Sequence, residues 1–245
     1  MSRAQKFNGF PKEAIQFYKD LTQNNDKFWF EQNRKIFDEQ VMKPAQAFVV
    51  ELGERLESIA PNIVADPRRD KSIFRIHRDT RFSKDKSPFK THLAIFLWEG
   101  PRKKLENSGF YLQVSSTSLM LAAGLYIFPT PLLDVYREAV IDPKQRDKLI
   151  KTIDQVKQHS DYKIGGEHYK KTPRGYDADH PNAKLLLHNG IYTYLEDSHP
   201  KNCIRLNLWI FVFNTSRIWR RFISVSERCW FRIKDENYNY SFHKH

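Results

Sequence analysis

The stretch HLAIFLWEGPRKKLENSGFYLQVSSTSLMLAAGLYIF, residues 92–128, decides the fold. It contains three runs rich in Phe, Ile, Val, Tyr and Leu, namely His92–Trp98, Gly109–Ser115 and Leu119–Phe128. Runs of this kind, separated by short polar or glycine-containing turns, are typical of antiparallel strands. Ser72–Arg78 has the same character, and Ile191–Leu195 adds a further candidate strand. The sequence therefore predicts a central antiparallel sheet of four or five strands.

Helices are predicted before and after these strands in the chain. Apolar residues recur at helical spacing in two segments joined by a polar turn at residues 23–26, and again between Pro44 and Ile59. Two more helices are expected to begin near Pro131 and at Pro143, because proline is favoured in the first turn of a helix. We expect an α+β domain with N-terminal helices, the central sheet, and helices packed on one face of it.

The composition is that of a soluble globular protein. The chain has 245 residues, 40% of them hydrophobic, and a formal net charge of +12, which favours an anionic partner. Its two cysteines, Cys203 and Cys229, have neither the spacing of a zinc site nor the number needed for a disulfide framework, so a cytoplasmic location is expected. No apolar run approaches the roughly 18 residues of a membrane span, so no membrane partner is expected.

The segment RIHRDTRFSKDKSPFKT, residues 75–91, concentrates positive charge. Six Lys or Arg residues and His77 surround only Asp79 and Asp85. Cations this close repel one another unless an anion lies among them, which predicts a ligand site. The candidate ligand-binding residues are Arg75, Arg78, Arg81, Lys84, Lys86 and Lys90.

Asp79 is expected to orient Arg78 or Arg81 through a bidentate bond, and extended backbone would place Arg75, His77, Asp79 and Arg81 on one face. The alternative is a structural ion-pair network that holds this segment to the N-terminal helices.

A second cluster, KKTPRGYDADHP at residues 170–181, has the composition of a loop. Arg174 is a further candidate for ligand binding, and Asp177 and His180, with Asp79, are the candidates for catalytic proton transfer. Asp179 fits a helix cap better than a catalytic role. A metal site formed by His77, Asp79, Asp177 and His180 is only weakly indicated, because no metal-binding spacing occurs. We therefore predict no metal site, and the sequence indicates no cofactor.

These clusters predict a cleft that binds, and in one version turns over, a phosphate-bearing or other anionic ligand, either a small molecule or nucleic acid. The alternative is a non-catalytic interaction module whose basic face docks on nucleic acid or on an acidic protein. Whether the protein is an enzyme stays open at this point, because site chemistry does not follow from composition or fold.

Several motifs carry a family resemblance: FNGF, NNDKFWFEQNR, RDTRFSKDKSPFKTH, GFYLQV, KKTPRGYDADHP and LLLHN. Together they resemble the bacterial and fungal family called domain of unknown function 2461, over about residues 7–200. The resemblance implies a compact single domain of about this size and brings no activity with it.

Residues 1–200 are accordingly predicted to form a single α+β domain, followed by a divergent, basic and aromatic C-terminal tail at residues 201–245. Two interpretations of the tail stay open. It is either an appendage that stacks on bases and pairs with phosphates, or an altered terminus without a selected function.

Overall fold

The N-terminal layer consists of helices, as the apolar spacing predicted. In the computed structural model, which describes residues 6–158 and 162–197, these are α1 (Lys12–Gln23), α2 (Lys27–Ile36) and α3 (Lys43–Leu56), with a π-helical turn at Phe37–Met42 between α2 and α3. Asp26 caps α2 by accepting a hydrogen bond of 2.9 Å from the backbone N–H of Trp29. The predicted tail at residues 201–245 lies outside the described residues.

The sheet has six antiparallel strands, where the sequence predicted four or five. The strands are β1 (Ile63–Val64), β2 (His92–Glu99), β3 (Ser108–Ser115), β4 (Leu119–Leu125), β5 (Lys163–Glu167) and β6 (His188–Asp197), in the order β1-β2-β3-β4-β6-β5. β1 is too short to leave a sequence pattern. β5 contains Gly165 and Gly166, and a register shift between Gly165 and Glu167 interrupts its pairing, which explains why its sequence resembles a loop.

Ser72–Arg78 is not a strand, so this part of the prediction was wrong. The segment bridges β2 only between Ile73 and Ile95. Its other bridges join Ile73 to Arg69 and His77 to Phe89, both of which lie outside β2. It therefore leaves the edge of the sheet and folds back on itself. The predicted alternation nevertheless appears in its exposure, since Arg75, His77, Asp79 and Arg81 are exposed and the residues between them are not.

The five α-helices of the described residues lie on one face of the sheet, as predicted. The first core cluster joins side chains of α1–α3 to Leu93, Ile95 and Leu97 of β2, with Leu112 of β3 and Leu121 of β4. The second cluster joins α4 (Thr130–Ile141) and α5 (Pro143–Lys157) to Leu125 and Ile191. Leu125 has the same strand parity as Leu121, and Ile191 is its register partner, so both clusters occupy the same face. None of these helices is long and apolar enough to cross a bilayer.

Asn25 connects the N-terminal layer to residues 75–91, which we call the basic segment. Its side-chain amide donates to the carbonyl of Phe89 at 2.9 Å, and its side-chain oxygen accepts from the N–H of Phe89 at 3.0 Å. Phe89 is buried and stacks on Phe30 of α2, with ring centroids 4.3 Å apart. Asn25 thus satisfies both backbone groups of a buried residue that lies far from it in the sequence.

Replacing Asn25 by Ala should lower the free energy of unfolding by about 1–3 kcal/mol, because it leaves two partly buried backbone groups of Phe89 without partners. Chemical denaturation monitored by circular dichroism measures this change. The matched control is Asn24→Ala, since the side chain of Asn24 makes an exposed bond to the carbonyl of Asp20. Equal stability of the two variants would show that the Asn25 bonds do not hold the segment in place.

Candidate functional site

The face of the sheet opposite the helices is lined with aromatic side chains. Because alternate residues of a strand point to opposite faces, Phe96 and Trp98 of β2, Tyr111 of β3, and Tyr192 and Tyr194 of β6 share this face. The register sets Phe96 opposite Tyr111, and Tyr111 opposite Ala122 of β4. Tyr111 on the central strand β3 thus lies between the ring of Phe96 on one side and the small side chain of Ala122 on the other.

A cavity of about 370 Å³ occupies the centre of this face, and we call it the sheet-face cavity. Its floor is formed by small residues: Ala94, Gly109, Ala122 and Gly124. Its walls include the rings of Phe74, Phe96, Tyr111, Tyr126 and Tyr192, and its remaining polar lining comes from Lys90, His92 and Gln113. This volume and this mixture of many apolar groups with a few polar ones are those of small-molecule sites.

Two glycines on paired strands keep the cavity open. Gly109 lies opposite Gly124 in the register. A Cβ atom at Gly109 would lie 2.5 Å from the ring of Phe96, and one at Gly124 would lie 2.4 Å from the Cβ of Tyr192. Gly124 also has a φ of 150°, which side chains rarely allow. The close packing of Phe96 and Tyr192 over the floor therefore requires glycine at both positions.

Two lysines flank Phe74 beside the cavity. The ammonium of Lys104 lies 3.6 Å from the centroid of the Phe74 ring and 5.7 Å from that of Trp98, while the ammonium of Lys90 lies 5.4 Å from the Phe74 centroid. Lys104 donates a hydrogen bond to the backbone carbonyl of Lys71. No ion pair of the described residues includes Lys90 or Lys104, so no carboxylate neutralises either one at close range.

Burial affects how these groups ionise. It lowers the pKa of Lys104 to about 8; the charge of Asp70 opposes this shift, and a weaker repulsion from Lys90 adds to it. Burial and the charge of Arg75 lower the pKa of Lys90. Burial also lowers the pKa of His92, so its imidazole is neutral at pH 7. Lys90 therefore supplies positive charge in the lining of the cavity, and Lys104 supplies it beside the cavity, next to the Phe74 ring.

A buried asparagine shapes the turn that carries Lys104. The Asn107 amide donates to the carbonyls of Arg102 and Lys103, both at 2.8 Å, and its oxygen accepts from the N–H of Arg102 at 3.0 Å. These bonds close residues 102–107 into a compact turn. Lys104 thus projects from a rigid support.

Two arginines of the basic segment, Arg78 and Arg81, have carboxylate partners within it. Arg78 pairs with Asp85 and donates to the carbonyl of Ser87. Asp79 orients Arg81 through a bidentate contact, with Nε 2.9 Å from Oδ1 and Nη2 2.6 Å from Oδ2. Hydrogen bonds from Arg81 lower the pKa of Asp79 to about 2, so this exposed carboxylate is ionised at neutral pH.

The other predicted ligand-binding residues of this segment differ in their surroundings. The ammonium of Lys86 donates to the carbonyl of Thr80 at 2.9 Å. Arg75 and Lys84 are exposed. Lys90 alone among the predicted site residues lines the sheet-face cavity.

The second predicted cluster contacts α4. The hydroxyl of Tyr176 donates to Glu138 at 2.8 Å, and the guanidinium of Arg137 lies 5.2 Å from the ring centroid of Tyr169. Arg174 and Asp177 are exposed, and the Nδ1 of His180 accepts from the N–H of Asn182 at 3.1 Å. The side chain of Asp177 accepts a bond of 2.9 Å from the N–H of Asp179, so it stabilises the loop itself.

The candidate metal ligands do not lie close together. Within residues 6–158 and 162–197, no three His, Cys, Asp or Glu side chains lie close enough together to hold a metal ion, and this range includes His77, Asp79, Asp177 and His180.

Sequence reasoning missed Lys104 and the aromatic walls. Lys104 sits in an ordinary polar turn, and only the fold brings it to Phe74. The tyrosines did leave a signal, because the pattern Ile191-Tyr192-Thr193-Tyr194-Leu195 alternates buried residues with tyrosines. A strand that places aromatic rings on its solvent side indicates a surface available for contact.

Comparisons with known proteins give one result. No curated protein matches the chain. The model of a family described as "Conserved hypothetical protein (DUF2461)" matches residues 13–204, which is well over half of the 245 residues. The chain therefore belongs to the DUF2461 family.

Proposed function

We propose that this protein binds a small anionic ligand carrying a flat ring, and that the sheet-face cavity is the site. The observation that carries the proposal is the position of Lys90 and Lys104, which flank an aromatic wall without a carboxylate partner in the described part of the chain. Removing an ammonium from water is costly unless a counter-charge compensates. A bound anion would supply that charge.

The rings of the cavity favour a ligand with a flat ring of its own. Tyr126 and Tyr192 lie with their centroids 5.8 Å apart, and Phe74 meets Tyr111 edge to face at 6.4 Å. Rings at such spacings already contact each other, so a flat ligand ring would pack against their exposed faces or edges from the cavity side and gain stacking energy there. A nucleotide-sized molecule, with a base and a phosphate, has both features, and the volume of about 370 Å³ lies within the range of small-molecule sites.

The proposal keeps the anionic ligand suggested by the sequence and assigns it to different cations. Arg78 and Arg81 are already paired with Asp85 and Asp79, so binding there would have to compete with those carboxylates. The proposed activity is binding. Asp79 is a poor candidate for proton transfer, because its pKa of about 2 leaves it unprotonated at neutral pH. We also propose a cytoplasmic location, on the cysteine content.

Replacing Lys104 by Met should weaken the binding of adenosine monophosphate about tenfold, because Met keeps the apolar stem and removes the charge. Isothermal titration calorimetry measures the affinity. Adenosine, which has the ring without the phosphate, should bind the wild type and the variant equally. Inorganic phosphate, which lacks the ring, should bind more weakly than adenosine monophosphate.

The control variant is Lys103→Met, which removes a charge from the adjacent position. The side chain of Lys103 is exposed and lies 3.9 Å from Glu106. Its replacement should leave the affinity unchanged. If Lys104→Met binds adenosine monophosphate as the wild type does, the cavity does not use Lys104 as its anion partner and the proposal is wrong.

Binding should also depend on pH. Because the pKa of Lys104 is about 8, its ammonium is mostly protonated at pH 7 and is lost as the pH rises through that value. A bound anion stabilises the protonated form, so the affinity for adenosine monophosphate should fall between about pH 8 and pH 10. The phosphate of the ligand stays fully ionised over this range, since its second pKa is about 6. Lys104→Met should have a flatter profile, and an unchanged profile would contradict the role of Lys104.

A further inference from the structure

Phe82 lies at the tip of the basic segment and is 95% exposed, more than any other large hydrophobic side chain of the described residues. A phenylalanine ring in water forgoes the gain of burial. Isolated exposed apolar residues are common on protein surfaces. Phe82 differs from them because the residues on both sides of it are held in place by specific bonds.

The charged side chains around Phe82 cross-link the loop. Arg78, on the N-terminal side of Phe82, pairs with Asp85 on its C-terminal side. Lys86 donates across the loop to the carbonyl of Thr80 at 2.9 Å. Both bonds span the tip, so they fix the shape of the loop that carries Phe82.

Arg81 adds a second constraint next to the ring. Its guanidinium is held by the bidentate contact with Asp79 and lies 5.7 Å from the centroid of the Phe82 ring. Side chains that are ordered before binding lose less entropy when a partner arrives. The ion-pair network thus presents an aromatic ring to solvent next to a fixed cation.

We propose that this loop docks a single strand of nucleic acid, with Phe82 stacking on an unpaired base and the neighbouring cations contacting phosphates. Residues 75–91 contain six Lys or Arg residues against two Asp residues. Arg78 and Arg81 are paired with these carboxylates and Lys90 lines the sheet-face cavity, which leaves Arg75, Lys84 and Lys86 to contact phosphates. Stacking rings combined with cations that follow the backbone are the features by which proteins bind single strands.

Two considerations favour nucleic acid over an anionic bilayer. Stacking uses only the face of the ring, whereas insertion would bring the ionised Asp79 and Asp85 towards anionic lipid. The same segment also reaches the sheet-face cavity through Lys90, and a nucleotide has the ring and the phosphate that the cavity fits. This second consideration rests on the proposed function of the cavity.

The test uses a dye-labelled 12-residue oligodeoxythymidylate and measures its affinity by fluorescence anisotropy. Phe82→Ala should weaken binding about tenfold, and Phe82→Trp should retain it, because tryptophan also stacks. The matched control is Phe28→Ala, which removes another exposed phenylalanine, 74% exposed, from α2 outside the basic segment. That variant should bind as the wild type does.

Salt dependence tests the phosphate contacts independently. Lys84 is exposed and next to the tip. Lys84→Ala should reduce the slope of log affinity against log salt concentration by about 0.7, the value for one phosphate contact with a single strand.

Three outcomes would overturn the inference. Equal oligonucleotide binding by wild type and Phe82→Ala would show that Phe82 takes no part in docking. Loss of sedimentation with phosphatidylserine vesicles in Phe82→Ala, without loss of oligonucleotide binding, would identify a membrane loop instead. Absence of oligonucleotide binding by the wild type would exclude this partner. Calorimetry with adenosine monophosphate on Phe82→Ala keeps the two proposals separate, since the cavity should be unaffected.

Discussion

The alternation of side chains along four antiparallel strands is the constraint on which the rest of this structure depends. In β2, β3, β4 and β6 one set of alternate residues is mostly aliphatic and packs against α1–α5. The register then forces the other set onto the opposite face, where it includes rings, glycines and alanines. A shift of one residue in any of these strands would exchange the two sets. The core and the sheet-face cavity are thus specified together.

The environment of Phe74 links this constraint to charge. Lys90 and Lys104 approach the same ring from segments on either side of β2, and the rings and the Lys71 carbonyl provide partial compensation for lost hydration. Cation–π contacts of this kind are worth about 0.5–2 kcal/mol, which is less than a full charge-to-charge interaction in a partly dry site. The depressed pKa of Lys104 is the consequence. An anion beside these lysines would compensate for their lost hydration and stabilise their protonated forms.

Much of the fold could be predicted from sequence, because its strongest signals are local. The alternation within β2, β3 and β4, the polar turn before α2, and the prolines near the starts of α4 and α5 each depend on residues close together in the chain. β1 and β5 were not predicted. β1 has only two residues, which form no pattern, and Gly165-Gly166 in β5 resembles a turn. Ser72–Arg78 had the composition of a strand, but Asn25 and Phe89 draw the chain after it away from the sheet.

The candidate site was harder to predict, because it depends on contacts between distant residues. Charge density drew attention to residues 75–91, yet density alone does not reveal which cations already have partners. Arg78 and Arg81 are neutralised by Asp85 and Asp79 inside the segment, whereas Lys90 follows the buried Phe89 and reaches the cavity. The decisive cation, Lys104, is brought to Phe74 by the β2–β3 connection and by the bonds of Asn107.

The basic segment therefore combines two structural roles that its composition alone does not separate. Arg78 and Arg81 form a network of ion pairs with Asp85 and Asp79, and such a network contributes little stability when it is exposed. Its geometric effect is larger, because it fixes the direction in which Phe82 points and the path by which the chain returns to β2. Charge pairing at the tip and unpaired charge at Lys90 are consequences of one arrangement: Asp79 and Asp85 lie close in sequence to Arg81 and Arg78, and no carboxylate lies between Lys90 and the start of β2.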